Sequence, residues 1–165
     1  MNQQSIIAYI VRERTPISGG RLSHTMPMLA MVKHLGFLAK STLDWTSDGK
    51  IPDTYQNELV CIASLAHQIL KVSGFSDHKF LDVVRAERNR QFHKWGEQNH
   101  SPDKWLTILT EEVGELAEEI EKFEVSSESS RNLLDEAIQI AAVAVQMIEW
   151  FQQVTHGGNF RPTHR

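Results

Sequence analysis

Glu111-Glu112-Val113-Gly114-Glu115 puts three carboxylates on one short stretch of chain. On a helix turning about 100° per residue, the three side chains fall within an arc of roughly 100°. Carboxylates held that close repel one another unless they face water or share a cation. Oxygen-only donors suit a hard divalent ion, Mg²⁺ with Mn²⁺ as a substitute, and the Cys/His set that zinc prefers is not offered here. Glu136 opens the next long segment and can supply a fourth carboxylate, since helical bundles build metal sites from inward acids on neighbouring helices. A solvated acidic face would look similar. Seven Glu and one Lys lie from Glu111 to Glu124, and acids in a first helical turn are ordinary dipole partners. Spacing alone leaves both readings open.

A complementary set precedes the acids: Arg85, Arg88, Arg90, His93 and Lys94, then Trp95-Gly96-Glu97-Gln98-Asn99-His100. Cations beside a carboxylate–metal cluster are what a triphosphate requires, because metal and Arg or Lys together balance its charge. Arg88 and Lys94 are the candidates for the phosphates. Trp95 suits stacking on a base, and Gln98 or Asn99 hydrogen bonding to its edge. The plainer readings are a solvated basic helix face and a core position for Trp95, where large aromatics usually lie.

Helices must position these groups. Leu106, Leu109, Val113, Leu116, Ile120 and Phe123 step by three and four, the spacing of one buried stripe. Ser101-Pro102-Asp103 is a suitable start for that helix. Over 133–151, Leu134, Ile138, Ala142 and Val145 form one stripe. Leu133, Ala137, Ile140, Ala144, Met147 and Phe151 form a second, so this helix is expected to be buried on most sides. The patterns predict helices near 4–14, 26–45, 53–72, 77–95, 102–124 and 129–154, separated by Gly-, Ser- and Pro-containing breaks. No stretch alternates convincingly as a strand, and the expected fold is all-α, a helical bundle.

Sliding the chain by 78 residues lays Met28–Trp45 on Leu106–Phe123 and Asn57–Leu70 on Asp135–Ile148. Eight of the 32 pairs are identical, where average composition gives roughly two. Met28, Met31, Leu35, Leu38, Thr42 and Trp45 repeat the later stripe. This is the mark of a tandem duplication: an earlier helical repeat over 1–76, a later one over 77–155 that carries the acids, and a tail at 156–165. Opposite Glu111, Glu112 and Glu115 lie Lys33, His34 and Phe37; Cys61 lies opposite Gln139, and Glu58 opposite Glu136. The scaffold persists in the earlier half without the acidic cluster. Lys33 and His34 read as solvated or as phosphate contacts, and Cys61 as packing.

The chain has 165 residues, 41% of them apolar, and a formal net charge of −4. Residues 1–80 carry +2 and residues 81–165 carry −6. That balance disfavours a general nucleic-acid binder. No apolar run exceeds the six residues of Ile140 to Val145, too short to span a membrane. One cysteine excludes an intrachain disulfide and, with no signal-peptide layout at the N-terminus, points to a cytoplasmic protein.

Glu87-Arg88, Gln91, Lys94 through His100, Trp105-Leu106, Ile108-Leu109, the 111–115 acids, Glu136 and Ile140 through Val145 together resemble the MazG-like family of all-α nucleoside triphosphate pyrophosphohydrolases. The resemblance covers about residues 85–152. The family pattern, Glu-Glu-x-x-Glu on one helix and Glu-x-x-Asp on a second, binds Mg²⁺. It implies Glu111, Glu112, Glu115, Glu136 and position 139 as metal ligands, with Glu111 or Glu112 taking the proton of the attacking water. Residue 139 is Gln139, as in one branch of the family; its amide can ligate through oxygen but brings no charge. The resemblance also implies a homo-oligomer, a dimer, and hydrolysis of a (deoxy)nucleoside triphosphate to monophosphate and pyrophosphate. Arg88, Lys94, Trp95 and Gln98 would contact substrate. Two other readings stay open: a nucleotide- or metal-binding regulator without turnover, and a helical module binding nucleic acid through its 85–94 basic face.

Overall fold

From Ile140 to Ile148 every residue is buried, so the helix that carries them must be surrounded by others. The computed structural model describes residues 2–12, 23–50, 52–126 and 130–157. That helix is α6 (Arg131–Gly157), preceded by α1 (Gln3–Arg12), α2 (Thr25–Asp48), α3 (Tyr55–Val72), α4 (Asp77–Trp95) and α5 (Pro102–Ser126). Among the described residues there is no strand, and the chain is an all-α helical bundle. Helix ends fall within about three residues of the expected ones, the usual uncertainty of frayed termini. Residues 13–14 of the first expected helix and 158–165 of the expected tail lie outside the described residues.

The central contact is α3 on α6. It is joined by α2 on α3, α5 on α6 and α2 on α5, which closes a ring of four helices. α4 lies on α6, and α1 touches α3, α4 and α6. Both central helices carry small buried side chains: Ala63 and Ala66 on α3, and Ala141, Ala142 and Ala144 on α6; buried Ser64 of α3 donates to the Ile10 carbonyl of α1. The expected stripe of α5 faces inward through Leu109, Val113, Leu116 and Ile120, and that of α2 through Met28, Met31, Leu38 and Thr42.

One end of the ring is closed by aromatic rings. Trp45 of α2 meets Tyr55 of α3 edge-on at 5.3 Å and Trp150 of α6 at 5.5 Å. Tyr55 stacks on Phe151 at 5.2 Å, and Trp105 of α5 lies 6.4 Å from Trp150. Offset and edge-on aromatic pairs add attraction beyond buried area, so this plug ties all four helices together. α4 is held less deeply, burying Phe80, Val84 and Gln91. Its N-terminus is capped by Ser76, whose hydroxyl accepts from the Lys79 amide, and it ends where Gly96 adopts φ 71°. Any residue with a Cβ would be strained there.

Trp95 departs from the core expectation. It is 49% exposed, because α4's buried contact stops short of its last residue. The Lys94 ammonium lies 4.5 Å from its ring centroid and the Arg90 guanidinium 5.8 Å, so cations cover the indole instead of core side chains. Cys61 is half-buried on α3. No single helix among the described residues is long and apolar enough to cross a membrane.

Burial sets the cost of truncation. Leu65 is fully buried on α3, whereas Leu43 on the outside of α2 is 66% exposed. Leu65→Ala should lower the unfolding free energy by about 2–5 kcal/mol, the range for a core leucine. Leu43→Ala should change it by less than about 0.5 kcal/mol. Urea denaturation of both variants checks this, and equal losses would contradict the placement of α3 in the core.

Candidate metal centre

The inward stripes of α5 and α6 fix where the acids can go. With Leu109, Val113 and Leu116 packed inside, Glu112 is left half-buried at the edge of the contact with α6, and Glu115 is exposed beside it. On α6, Leu133, Ala137 and Ile140 face the core and leave Glu136 half-buried on the same side. The two helices thereby bring together Glu112, Glu115 and Glu136, each with a carboxylate oxygen within 4.8 Å of the others. Glu111 is exposed. It lies outside that group of three, on the open groove along α5 that it lines with Thr107, Thr110, Gly114 and Glu115.

The electrostatic burden on this group is plain. Burial and the charges of Glu136, Glu115, Glu111 and Glu87 push the Glu112 carboxyl up to about 7. Glu136 is likewise pushed up to about 7, by burial and by Glu115, Glu119 and Asp135. The Glu112 Oε2 atom is buried with no hydrogen-bond partner. Beside it, Glu115 and Glu136 each bring a carboxylate oxygen within 4.8 Å of one of Glu112's. All the donors are oxygen, so the set fits a hard divalent ion such as Mg²⁺ and does not fit zinc. Gln139 lies at its edge and donates from Nε2 to Glu136 Oε2 at 2.8 Å, which holds that carboxylate in place without adding charge.

The cationic side of the site is not the one expected from sequence. Arg88 turns away from the acids and pairs with Glu149 of α6 at 2.8 Å. Lys94 and Trp95 lie on the outer surface. Gln98 accepts from Gln146 at 3.1 Å and, with Arg88, lines a cavity of about 960 Å³ beside the C-terminal half of α6. The guanidinium that faces the acids is Arg90. It is held by Glu87 through two bonds of 2.6 and 2.7 Å, and Glu87 and Glu112 both raise its pKa. Glu87, Arg90, Asp135 and Gln139 line a cavity of about 480 Å³ between α4 and α6. The three-residue spacing of Glu87 and Arg90 is legible as a helical ion pair. Which of α4's arginines meets Glu112 depends on the rotation of α4 about its axis, and its weak apolar stripe does not set that rotation.

The pushed-up carboxyls carry a pH signature. A folded value of about 7 for Glu112 lies above its ordinary 4.5. Its charged form therefore costs nothing extra below about pH 4.5 and destabilises the fold progressively as pH rises through 7. In EDTA at pH 8, Glu112→Gln should melt higher than the parent protein, and the gain should shrink as pH falls and vanish near about pH 4. Mg²⁺ should raise the parental Tm at pH 8 and should do so much less for the variant. Equal melting of both proteins across this range would mean that the acids do not repel.

No family model matches the chain, and no curated protein or solved structure matches it.

Proposed function

We propose that the chain is a Mg²⁺-dependent nucleoside triphosphate pyrophosphohydrolase of the MazG-like kind, with its site at Glu112, Glu115 and Glu136. One observation carries the reading: three carboxylates converge from two helices, and a buried oxygen of Glu112 has no partner. A bound Mg²⁺ would supply Lewis-acid activation of phosphate and water and would offset the repulsion among the acids. Water forms the new bond to the α-phosphorus, the α–β bridging P–O bond breaks, and pyrophosphate leaves with the bridging oxygen. The water proton goes to Glu111 or Glu112. Glu111 suits that role best because it lies beside the group of three, exposed and outside it. Arg90, which the Glu112 charge reaches, would offset phosphate charge; Arg88 is directed instead to Glu149 on the other cavity.

We further infer that the ring of four helices is a tandem pair of helical hairpins, with α2–α3 as the worn copy over 1–76 and α5–α6 as the working copy over 77–155. Shifted by 78 residues, α2 covers 103–126 and α3 covers 133–150, close to the bounds of α5 and α6. At the positions matching Glu112 and Glu136, His34 Nδ1 meets Glu58 Oε2 at 2.7 Å. A side-chain partner fills in one half the place that a cation would fill in the other. The expected dimer would then be supplied within one chain, and further self-association would be optional.

A regulator that binds metal or nucleotide without turnover is the second reading. It is favoured by Gln139, an amide where the family pattern has Asp. Pyrophosphate release from a panel of ribo- and deoxynucleoside triphosphates, with and without Mg²⁺, tests both. Release that depends on Mg²⁺ supports the enzyme, and Glu112→Gln or Glu115→Gln should lower it by at least about a hundredfold with the fold intact. Stabilisation by Mg²⁺ with no release from any nucleotide supports the regulator. Gln139→Asp should tighten Mg²⁺ binding, measured by calorimetry; unchanged affinity would place residue 139 outside the ligand set.

A further inference from the structure

The cavity of about 960 Å³ beside α6 is walled largely by side-chain amides. Gln146 Nε2 donates to Gln98 Oε1 at 3.1 Å, and Gln152 Nε2 donates to Gln56 Oε1 at 3.1 Å. Asn2, Gln3 and Gln153 complete the polar wall. A primary amide has a carbonyl that accepts and an amine that donates twice. The bond between Gln146 and Gln98 uses one end of each and leaves over the Gln146 carbonyl and the Gln98 amine. Whichever way the two amides are turned, their mutual bond leaves the pair one acceptor and one donor. Gln146 is 8% exposed, so its rotamer is set by packing. The exposed Phe92 ring borders the same space.

The charge of the cavity selects against anions. Among the described residues that line it, the one cation, Arg88, is paired with Glu149 at 2.8 Å, and Glu97 adds a second carboxylate. The cavity is also remote from the acids. Along α6, Gln146 to Gln153 lie ten to seventeen residues from Glu136, about 15 to 26 Å of helix axis.

We propose that this cavity is a second ligand site, for an uncharged planar heterocycle with a donor and an acceptor adjacent on one edge: a nucleobase or its nucleoside. An amide carbonyl and an amide amine pair with the N–H and C=O edges of such rings, as Asn and Gln do on adenine, and an aromatic face accommodates the ring. The site lies beyond the triphosphate reading and does not depend on it. Its volume is in the range of small-molecule pockets.

The test uses the full ¹⁵N-labelled chain in EDTA, which keeps divalent ions from the acids, titrated with uridine, cytidine, adenosine and inosine to about 5 mM, near the limit of measurable weak binding. At least one nucleoside should shift the side-chain amide signals of Gln98 and Gln146 and the Trp150 indole signal saturably. Its 5′-monophosphate should bind more weakly. Gln146→Leu should weaken binding about tenfold, as expected for one lost hydrogen-bonding group. Gln98→Ala, in the half-exposed segment after α4, should do the same if Gln146→Leu does not fold. Absence of saturable shifts with all four nucleosides overturns the proposal. So do equal shifts with glucose, or tighter binding of the monophosphate.

Discussion

A helix that is apolar on nearly every side has no stable place except among other helices, and α6 imposes that condition on the whole chain. Its buried run from Ile140 to Ile148 has to be covered by α3, α5 and α4 at once. Both central helices carry small residues among their buried side chains. Everything else follows from satisfying α6. The aromatic plug closes one end of the ring, α2 completes it, and the polar strip of α6 through Asp135, Gln139 and Glu149 is left where helices diverge. The cavities of about 960 Å³ and 480 Å³ beside α6 both use residues of that strip.

The acids occupy one of those divergences, and their position is electrostatically uphill. Two carboxyls are displaced to about 7 by burial and mutual repulsion, a condition tolerated because the apolar stripes on either side are fixed by packing. Such a displacement marks functional sites more often than surfaces, where water would relax it. The earlier half offers the contrast. Glu58 meets His34 there, Phe37 stands 78 residues before Glu115, and among the described residues no comparable group of acids converges.

Sequence periodicity carried the fold well, because helix spacing and burial are two expressions of one geometry. The stripes of α2, α5 and α6 could be read almost residue by residue. Three of the acids expected at the site do converge, since each sits one position off a strongly specified stripe. Legibility failed where no stripe exists. α4 has a mean hydropathy too polar to fix its rotation, so Arg88 and Arg90 could not be told apart, and Trp95 could not be placed outside the core. The amide-walled cavity was invisible for a different reason. It is assembled from α1, α3, α4, α6 and the segment before α5, and each glutamine taken alone in the sequence carries no sign of the others.

The ring also has consequences for how the chain reaches its native state. The α2–α3 and α5–α6 hairpins close across only a few residues, whereas α3 meets α6 across a long stretch of chain. The entropy lost on closure grows with the logarithm of the span, and contacts distant in sequence slow folding. The central α3–α6 interface therefore forms after either hairpin. Until α3 and α6 meet, the alanine-rich face of α6 is exposed, and a crowded or slowly emerging chain would have to protect it.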